Sequence, residues 1–496
     1  MARSSSATVV ADPLARIGRI NPEHYSHFIE HLGECVYDGI WVGPHSPIPN
    51  TDGIRQFTID ALKAVGPAVF RWPGGCFADH YHWRDGIGDP ASRPRTRNIF
   101  WGGTESNRFG THEFIGFCRK IDAIPYICGN VGTGSPQEMM DWLEYCNGDS
   151  DLTIVDQRRA NGEAAPLGIK YWGVGNENWG CGGNMRPQEY AAKYRNYVTY
   201  LARMNLGVQL IAVGHDAAWN RELLRALAGA RFLPRLQALS IHRYFSLERQ
   251  AFNYDESEYH DLIADAHVLE DDIAQADGIL KNYEDPTNPV GLIVDEWGLW
   301  DRGRATPESG LRQANCLRDA VVAATCLNIF TARADRVTMT NIAQTINVLQ
   351  CLIETRGPDA WLTPTYHVYQ FYREHVGHDS LTTHVNSQPL AVQNRPGRPV
   401  SQLSASTSLS EDGSQVSFAI TNRHYSESVE CTLRLPEKTL GDAAARLLAG
   451  DQAMSANSAS SPDAVAPTDL AVRSTNDALT IQLPPHSIAI LTAGVG

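Results

Sequence analysis

The 496-residue chain has no CxxC pair, no run of about 18 consecutive apolar residues and fewer basic than acidic side chains, and each shortage closes a class of function. Without a spanning run, no transmembrane helix and no membrane partner are expected. With 42 Lys and Arg against 56 Asp and Glu, the net charge of -14 repels polyanions, so nucleic acid is not an expected ligand. The ten cysteines are scattered from Cys35 to Cys431, which fits a reduced compartment better than a disulfide-stapled secreted fold. The N-terminus, MARSSSATVVADPLARIGRI, lacks a continuous apolar segment followed by a cleavage pattern, so a soluble, cytoplasmic protein is the expectation. A GxxxxGK[ST] loop and a GxSxG elbow are missing too, which removes the P-loop and serine-hydrolase readings. What the chain does hold is aromatic: 11 Trp and 18 Tyr, many beside Gly, Asn or carboxylates. Rings so placed can form platforms for sugars, with core packing as the competing explanation.

Between residues 20 and 375, short apolar runs alternate with segments of helical period, the pattern of repeated βα units on a parallel sheet. Eight runs read as strands: His24 to Ile29, Ala68 to Trp72, Ile124 to Asn130, Ile169 to Asn176, Val208 to Val213, Ala238 to His242, Gly291 to Glu296 and Arg336 to Asn341. Eight closes a barrel. Ser135, Pro136 and Glu138 predict a capping-box helix start, and Tyr190, Tyr194, Tyr197, Leu201 and Met204 predict one buried helix face. After Gly377 the texture turns to short β runs such as Gln415 to Thr421, Glu430 to Leu435 and Ala478 to Leu483, with Asp412-Gly413 as a hairpin signal. Ala453 to Pro467 reads as a long loop. The expected fold is thus α/β, a (β/α)8 TIM barrel over 21–375 with a C-terminal all-β sandwich over 376–496, which the extended N-terminal segment 1–20 joins.

In such a barrel, reactive groups sit where strands end at their C-termini. The predicted ends gather Glu30 and His31; Arg71, Gly74, Gly75 and Cys76; Asn130; Asn176, Glu177 and Asn178; His242, Arg243 and Tyr244; Asp295, Glu296, Trp297 and Trp300; and Asn341 followed by Gln350. Glu177 and Glu296 are the best pair, each ending an apolar run beside amides or aromatics. Two carboxylates across a cleft suit glycoside hydrolysis, one protonating the leaving oxygen while the other attacks or activates water. That chemistry needs one carboxyl kept ionised, a task for which Arg71, His242 and Tyr244 are at hand. A structural salt-bridge role is the plainer reading of either glutamate alone. Metal hydrolysis is the main rival, through His24, His27, His31, His215 and the His80/His82 pair, but the spacing favours ordinary hydrogen-bonding histidines, so no metal is expected.

The segments FIEHLGECVYDGI (28–40), RWPGG (71–75), NVGTGSPQEMMDWLEYCN (130–147), KYWGVGNEN (170–178), SIHRY (240–244), IVDEWGLW (293–300), NIAQTINVLQ (341–350) and TPTYHVYQFY (363–372) resemble the α-L-arabinofuranosidases of glycoside hydrolase family 51. The likeness runs in order from 20 to 375; beyond that it rests on position and texture.

This resemblance implies a retaining glycosidase that releases terminal α-L-arabinofuranosyl residues from arabinose-containing oligosaccharides, with no metal or organic cofactor. It implies Glu177 as general acid/base and Glu296 as nucleophile. Asn176 would contact the sugar 2-hydroxyl, Tyr244 would orient Glu296, and Glu30, Arg71, His242 and Gln350 would complete the sugar subsite, with Trp101 and Trp300 as walls. It also implies a homo-oligomer, often a hexamer. One departure stands out: the family commonly reads RYPGGN, whereas this chain reads RWPGGC, placing Cys76 where a sugar-binding amide is expected. Cys181, just past Glu177, is a candidate neighbour, the two thiols either pairing or remaining buried and inert. The changed subsite keeps open an endo-β-glucanase or xylanase on the same barrel, and a non-catalytic carbohydrate-binding barrel is the reading from a different class.

Overall fold

In the computed structural model, which describes residues 4–66, 69–246, 255–475 and 477–496, eight short segments form the strands Ser26–Phe28, Val69–Trp72, Ile124–Gly129, Tyr171–Val174, Gln209–Val213, Ala238–Phe245, Gly291–Leu299 and Val337–Ile342. They close into a barrel in chain order, the eighth beside the first. Each expected strand is present, with shifted ends. Pro22–Tyr25 forms a 3-10 turn ahead of the first strand, and Ala68 lies outside the described residues. Strands six and seven run on past His242 and Glu296, carrying Tyr244 and Trp297 with them.

The helices follow their local signals. Ser135 caps Pro136–Asn147 by accepting a hydrogen bond from the Glu138 amide at 3.1 Å. The reciprocal half of the expected capping box is replaced, because the Glu138 carboxylate pairs with His82 Nδ1 at 2.8 Å. In Pro187–Leu201, Tyr190, Tyr194, Tyr197 and Leu201 are buried on one face, while Met204 falls beyond the helix end. Tyr190 is more than filler: its hydroxyl donates to Val174 O at 2.7 Å and accepts from Val213 N at 2.8 Å, fastening the fourth strand to the fifth.

A ten-stranded sheet is built mainly from the C-terminal part of the chain, and Ser4–Arg19 belongs to it, antiparallel to Asp379–Asn386 and parallel to Ser428–Arg434. Alternation explains the docking. Ala7, Val9 and Ala11 point into a core shared with Val416, Phe418 and Ile420 of one strand and Leu479, Ile481 and Leu483 of another, as in a sandwich. The Asp412-Gly413 turn joins Leu403–Leu409 to Gln415–Asn422, with Gly413 at φ 74°. The chain divides into two compact units, residues 26–242 with 272–296, and residues 1–25 with 243–271 and 297–496. Among the described residues, no helix is long and apolar enough to cross a membrane.

Candidate active site

The first unit gathers Glu30, Arg71, Cys76, Trp101, Asn176, Glu177, His242 and Glu296, all contributed by strand ends or the loops that follow them. Arg71, on the second strand, is fully buried. Its Nη1 donates to Glu296 Oε1 at 2.7 Å and its Nη2 to Asn176 Oδ1 at 2.5 Å, while Nε lies 3.3 Å from Asp295 Oδ2. Burial opposes its charge, but Asp295 and Glu296 outweigh burial and hold the guanidinium protonated well above its ordinary range. Glu296 is therefore buried yet compensated, which is what an ionised carboxylate needs in a low-dielectric site.

Glu177 is placed differently. It follows the fourth strand in the left-handed region, at φ 40°, a conformation rare for a residue with a long side chain. Its side chain keeps 18% exposure against 6% for Glu296. His242 Nδ1 sits between the two, 3.0 Å from Glu177 Oε1 and 3.6 Å from Glu296 Oε2. Burial lowers the His242 pKa, yet Glu296 and the hydrogen bond to Glu177 outweigh it and raise the net value. Glu177, His242 and Glu296 each bring one polar atom within 4.8 Å of the others. Such a pair can divide acid and nucleophile roles, since the carboxyls of retaining glycosidases lie about 5 Å apart.

Glu30 accepts hydrogen bonds on Oε1 from the Phe77 amide at 3.0 Å and the Trp101 indole at 2.9 Å. Burial first, and then the Glu296 charge, push its carboxyl up to about 7. The two glycines of RWPGG make room for these carboxylates. A Cβ on Gly74, at φ 157°, would lie 2.4 Å from Glu30 Cγ, and one on Gly75 would lie 2.9 Å from Glu296 Oε1. Cys76 and Cys181 form a disulfide with their Cα atoms 5.5 Å apart, and Cys181 Sγ lies 3.6 Å from Glu177 Oε2. The pairing alternative is thus the one realised. The other eight cysteines are buried and form no disulfide, so the bridge belongs to the site and not to a stapled framework.

In the other unit, Tyr244 and Trp300 meet edge to face at 5.5 Å, and the Trp300 indole donates to Ala305 O at 3.0 Å. Gln350 is buried with its amide engaged: Oε1 accepts from Leu299 N at 2.9 Å and Nε2 donates to Asp319 O at 2.7 Å. Two of the histidines weighed for metal chemistry are held by other groups. His31 bonds Glu105 at 2.8 Å and accepts from the Trp72 indole at 3.0 Å, and His215 stacks on Trp179 at 3.8 Å. Asp295, named from the sequence at the seventh strand's end without a role, proves to be a partner of Arg71. One carboxylate was missed: Asp79, three residues past Cys76, accepts hydrogen bonds from Val131, Gly132, Asn176 and Asn178.

This site can be set beside known proteins. A family model described as the alpha-L-arabinofuranosidase 1 domain matches residues 61–262, and one described as the alpha-L-arabinofuranosidase C-terminal domain matches residues 295–487. An intracellular exo-alpha-L-arabinofuranosidase of Bacteroides ovatus is 37% identical to this chain, covering 99% of it and 95% of the relative. The chain belongs to the family 51 α-L-arabinofuranosidases. The crystal structure of the family 51 arabinofuranosidase from Xanthomonas axonopodis pv. citri superposes with a TM-score of 0.93 at 36% identity, over 99% of this chain and 100% of that one. The α-L-arabinofuranosidase of Thermotoga maritima, solved as an arabinose complex, gives 0.87 at 29% identity with the same coverage. Membership in this arabinofuranosidase family makes the chain a glycosidase, and the barrel with its sheet-rich C-terminal part is the architecture of its solved relatives.

Proposed function

We propose that this arabinofuranosidase releases terminal α-L-arabinofuranosyl residues from arabinose-containing oligosaccharides by double displacement. Glu296 attacks the anomeric carbon while Glu177 protonates the departing glycosidic oxygen. A glycosyl-enzyme ester forms, Glu177 then takes a proton from water, and that water releases arabinose with its configuration retained. The observation that carries this reading is the pairing of Glu177 and Glu296 within 4.8 Å through His242, with Arg71 Nη1 bonded to Glu296. A guanidinium on one carboxylate keeps it ionised for attack, and the more exposed partner is left free to exchange protons with water.

Glu30, Arg71, Asn176 and His242 are proposed to bind the sugar, with Trp101 as a wall. At Cys76 the sulfur is bridged, so this residue has no side-chain hydrogen-bond donor to offer the sugar. The family likeness extends the proposal to Tyr244, Trp300 and Gln350, and to a homo-oligomer of hexameric order. A cytoplasmic location accords with the eight cysteines that form no disulfide and with the name of the Bacteroides relative. The test is to follow an aryl α-L-arabinofuranoside by proton NMR: the first product formed should be the α anomer, and linear β-glucan and xylan should be left intact. First release of the β anomer, or cleavage inside the linear polymers, would refute the reading.

A further inference from the structure

Glu177 owes its left-handed backbone to something outside its own strand. Its carbonyl accepts from Gly180 N at 2.7 Å and Gly182 N at 3.1 Å, which closes a tight turn immediately after the strand. Conformations of this kind are costly and persist only where the surroundings over-determine them. Here the surroundings are one short segment, Cys76–His80, which grips the turn twice. Cys76 is bonded to Cys181 at its far end. Asp79, 2% exposed, takes the two residues flanking Glu177: Oδ2 accepts from Asn176 N at 2.8 Å and from Asn178 Nδ2 at 3.2 Å. The same carboxylate reaches the third strand's loop through Oδ1, which accepts from Val131 N at 2.7 Å and Gly132 N at 2.8 Å. The fit leaves no slack, since a Cβ on Gly182 would come 2.3 Å from Asp79 Oδ2 and one on Gly132 would come 3.0 Å from Asp79 Cβ.

From this geometry we infer that Asp79 is a positioning residue for the acid/base function of Glu177, holding the turn that aims the carboxyl at the glycosidic oxygen. The inference rests on the proposed role of Glu177. Four N–H groups converge on two carboxylate oxygens, and only an acceptor-only group satisfies them all. An isosteric amide has one oxygen for four donors and turns an NH2 against one of the two pairs. The segment is therefore a clamp in which one arm is covalent and the other is hydrogen-bonded, and the hydrogen-bonded arm holds both neighbours of Glu177. Displacing a proton donor by about 1 Å forfeits much of its effect, because proton transfer needs hydrogen-bond distance to the departing oxygen.

The experiment compares kcat/KM on two arabinofuranosides, one with a dinitrophenyl leaving group that departs unprotonated and one with an alkyl leaving group that must be protonated. For Asp79→Asn the expected result is a loss of about 10- to 100-fold on the alkyl glycoside and under about 3-fold on the dinitrophenyl glycoside, a fraction of the 100- to 10,000-fold that general acid catalysis supplies. KM on the dinitrophenyl substrate should fall together with kcat, as the intermediate accumulates for want of a placed base. Equal losses on both substrates, or no loss on either, would overturn the inference. Asn178→Ala removes one strut without stranding a buried carboxylate, and it must show the same selectivity if Asp79→Asn does not fold. Glu177→Ala is run beside them. If that variant lacks the leaving-group selectivity, the acid/base assignment itself fails, whereas selectivity in Glu177→Ala without it in the Asp79 and Asn178 variants sinks only the positioning role.

Discussion

The ends of the second, fourth and seventh strands and the core of the ten-stranded sheet are equally buried, yet they are made of different matter. The sheet core is hydrocarbon, with Val9, Val416, Phe418, Leu433, Ile481 and Leu491 interleaved from alternating strand positions. Around Arg71 the buried groups are Asp295, Glu296, Asn176 and Asp79, each tied to a charged or N–H partner. Burying a charge is costly unless it is paired, so an apolar filling would be the easier way to pack that volume. What the contrast teaches is that burial alone says nothing of function. Burial of ions that satisfy one another marks the place where folding free energy has been given up for chemistry.

Three measurements bear on that contrast. The largest effect is expected for Glu296→Ala, where kcat/KM on an aryl arabinofuranoside should fall by about 10,000-fold or more while the melting temperature stays close to that of the parent, because Asp295 and Asn176 still hold the Arg71 guanidinium. A large drop in melting temperature would show that Glu296 serves the fold as well. The sheet core should behave in the opposite way. Phe418→Ala, at a fully buried position, is expected to cost about 3–5 kcal/mol in denaturant unfolding with kcat/KM per folded molecule unchanged; lost activity in the folded variant would erase the distinction between the regions.

The smallest effect is on pH dependence. Burial pushes the Glu30 carboxyl up to about 7, so the folded chain holds a proton that the unfolded chain has released. Its contribution to stability is complete below about 4.5 and is lost as pH rises through 7. Burial lowers His375 to about 3, so its contribution is complete above about 6.5 and is lost as pH falls. Melting curves between pH 7 and 5 should therefore show a steeper loss on acidification for Glu30→Gln than for the parent, and a shallower one for His375→Gln. Identical slopes in all three would show that neither group is perturbed as its burial dictates.

Much of the barrel was legible because strand identity is a local matter. Runs such as Ile124–Gly129 and Gln209–Val213 declare themselves by apolar composition and by the breakers beyond them. Their ends were less legible: the sixth and seventh strands continue through residues that read as loop, since neighbouring strands supply hydrogen bonds that no local pattern reveals. Arg71 could be named as the partner of a carboxylate, but its bonds to Glu296, Asn176 and Asp295 together could not. Asp79 was invisible for the same reason. An aspartate in CFADHYH has the look of a surface turn, and its four donors come from two other loops.

By itself the sequence determined the period of each element, the shortage of positive charge that turns polyanions away, and the glutamates that end apolar runs, because all of these are set by residues within a few positions of one another. Only the tertiary structure decided that Arg71 meets Glu296 across 225 positions and that Cys76 meets Cys181 across 105. Barrel closure fixes those distances, and a chain that short-range patterns describe well carries no local record of which of its distant ends will touch.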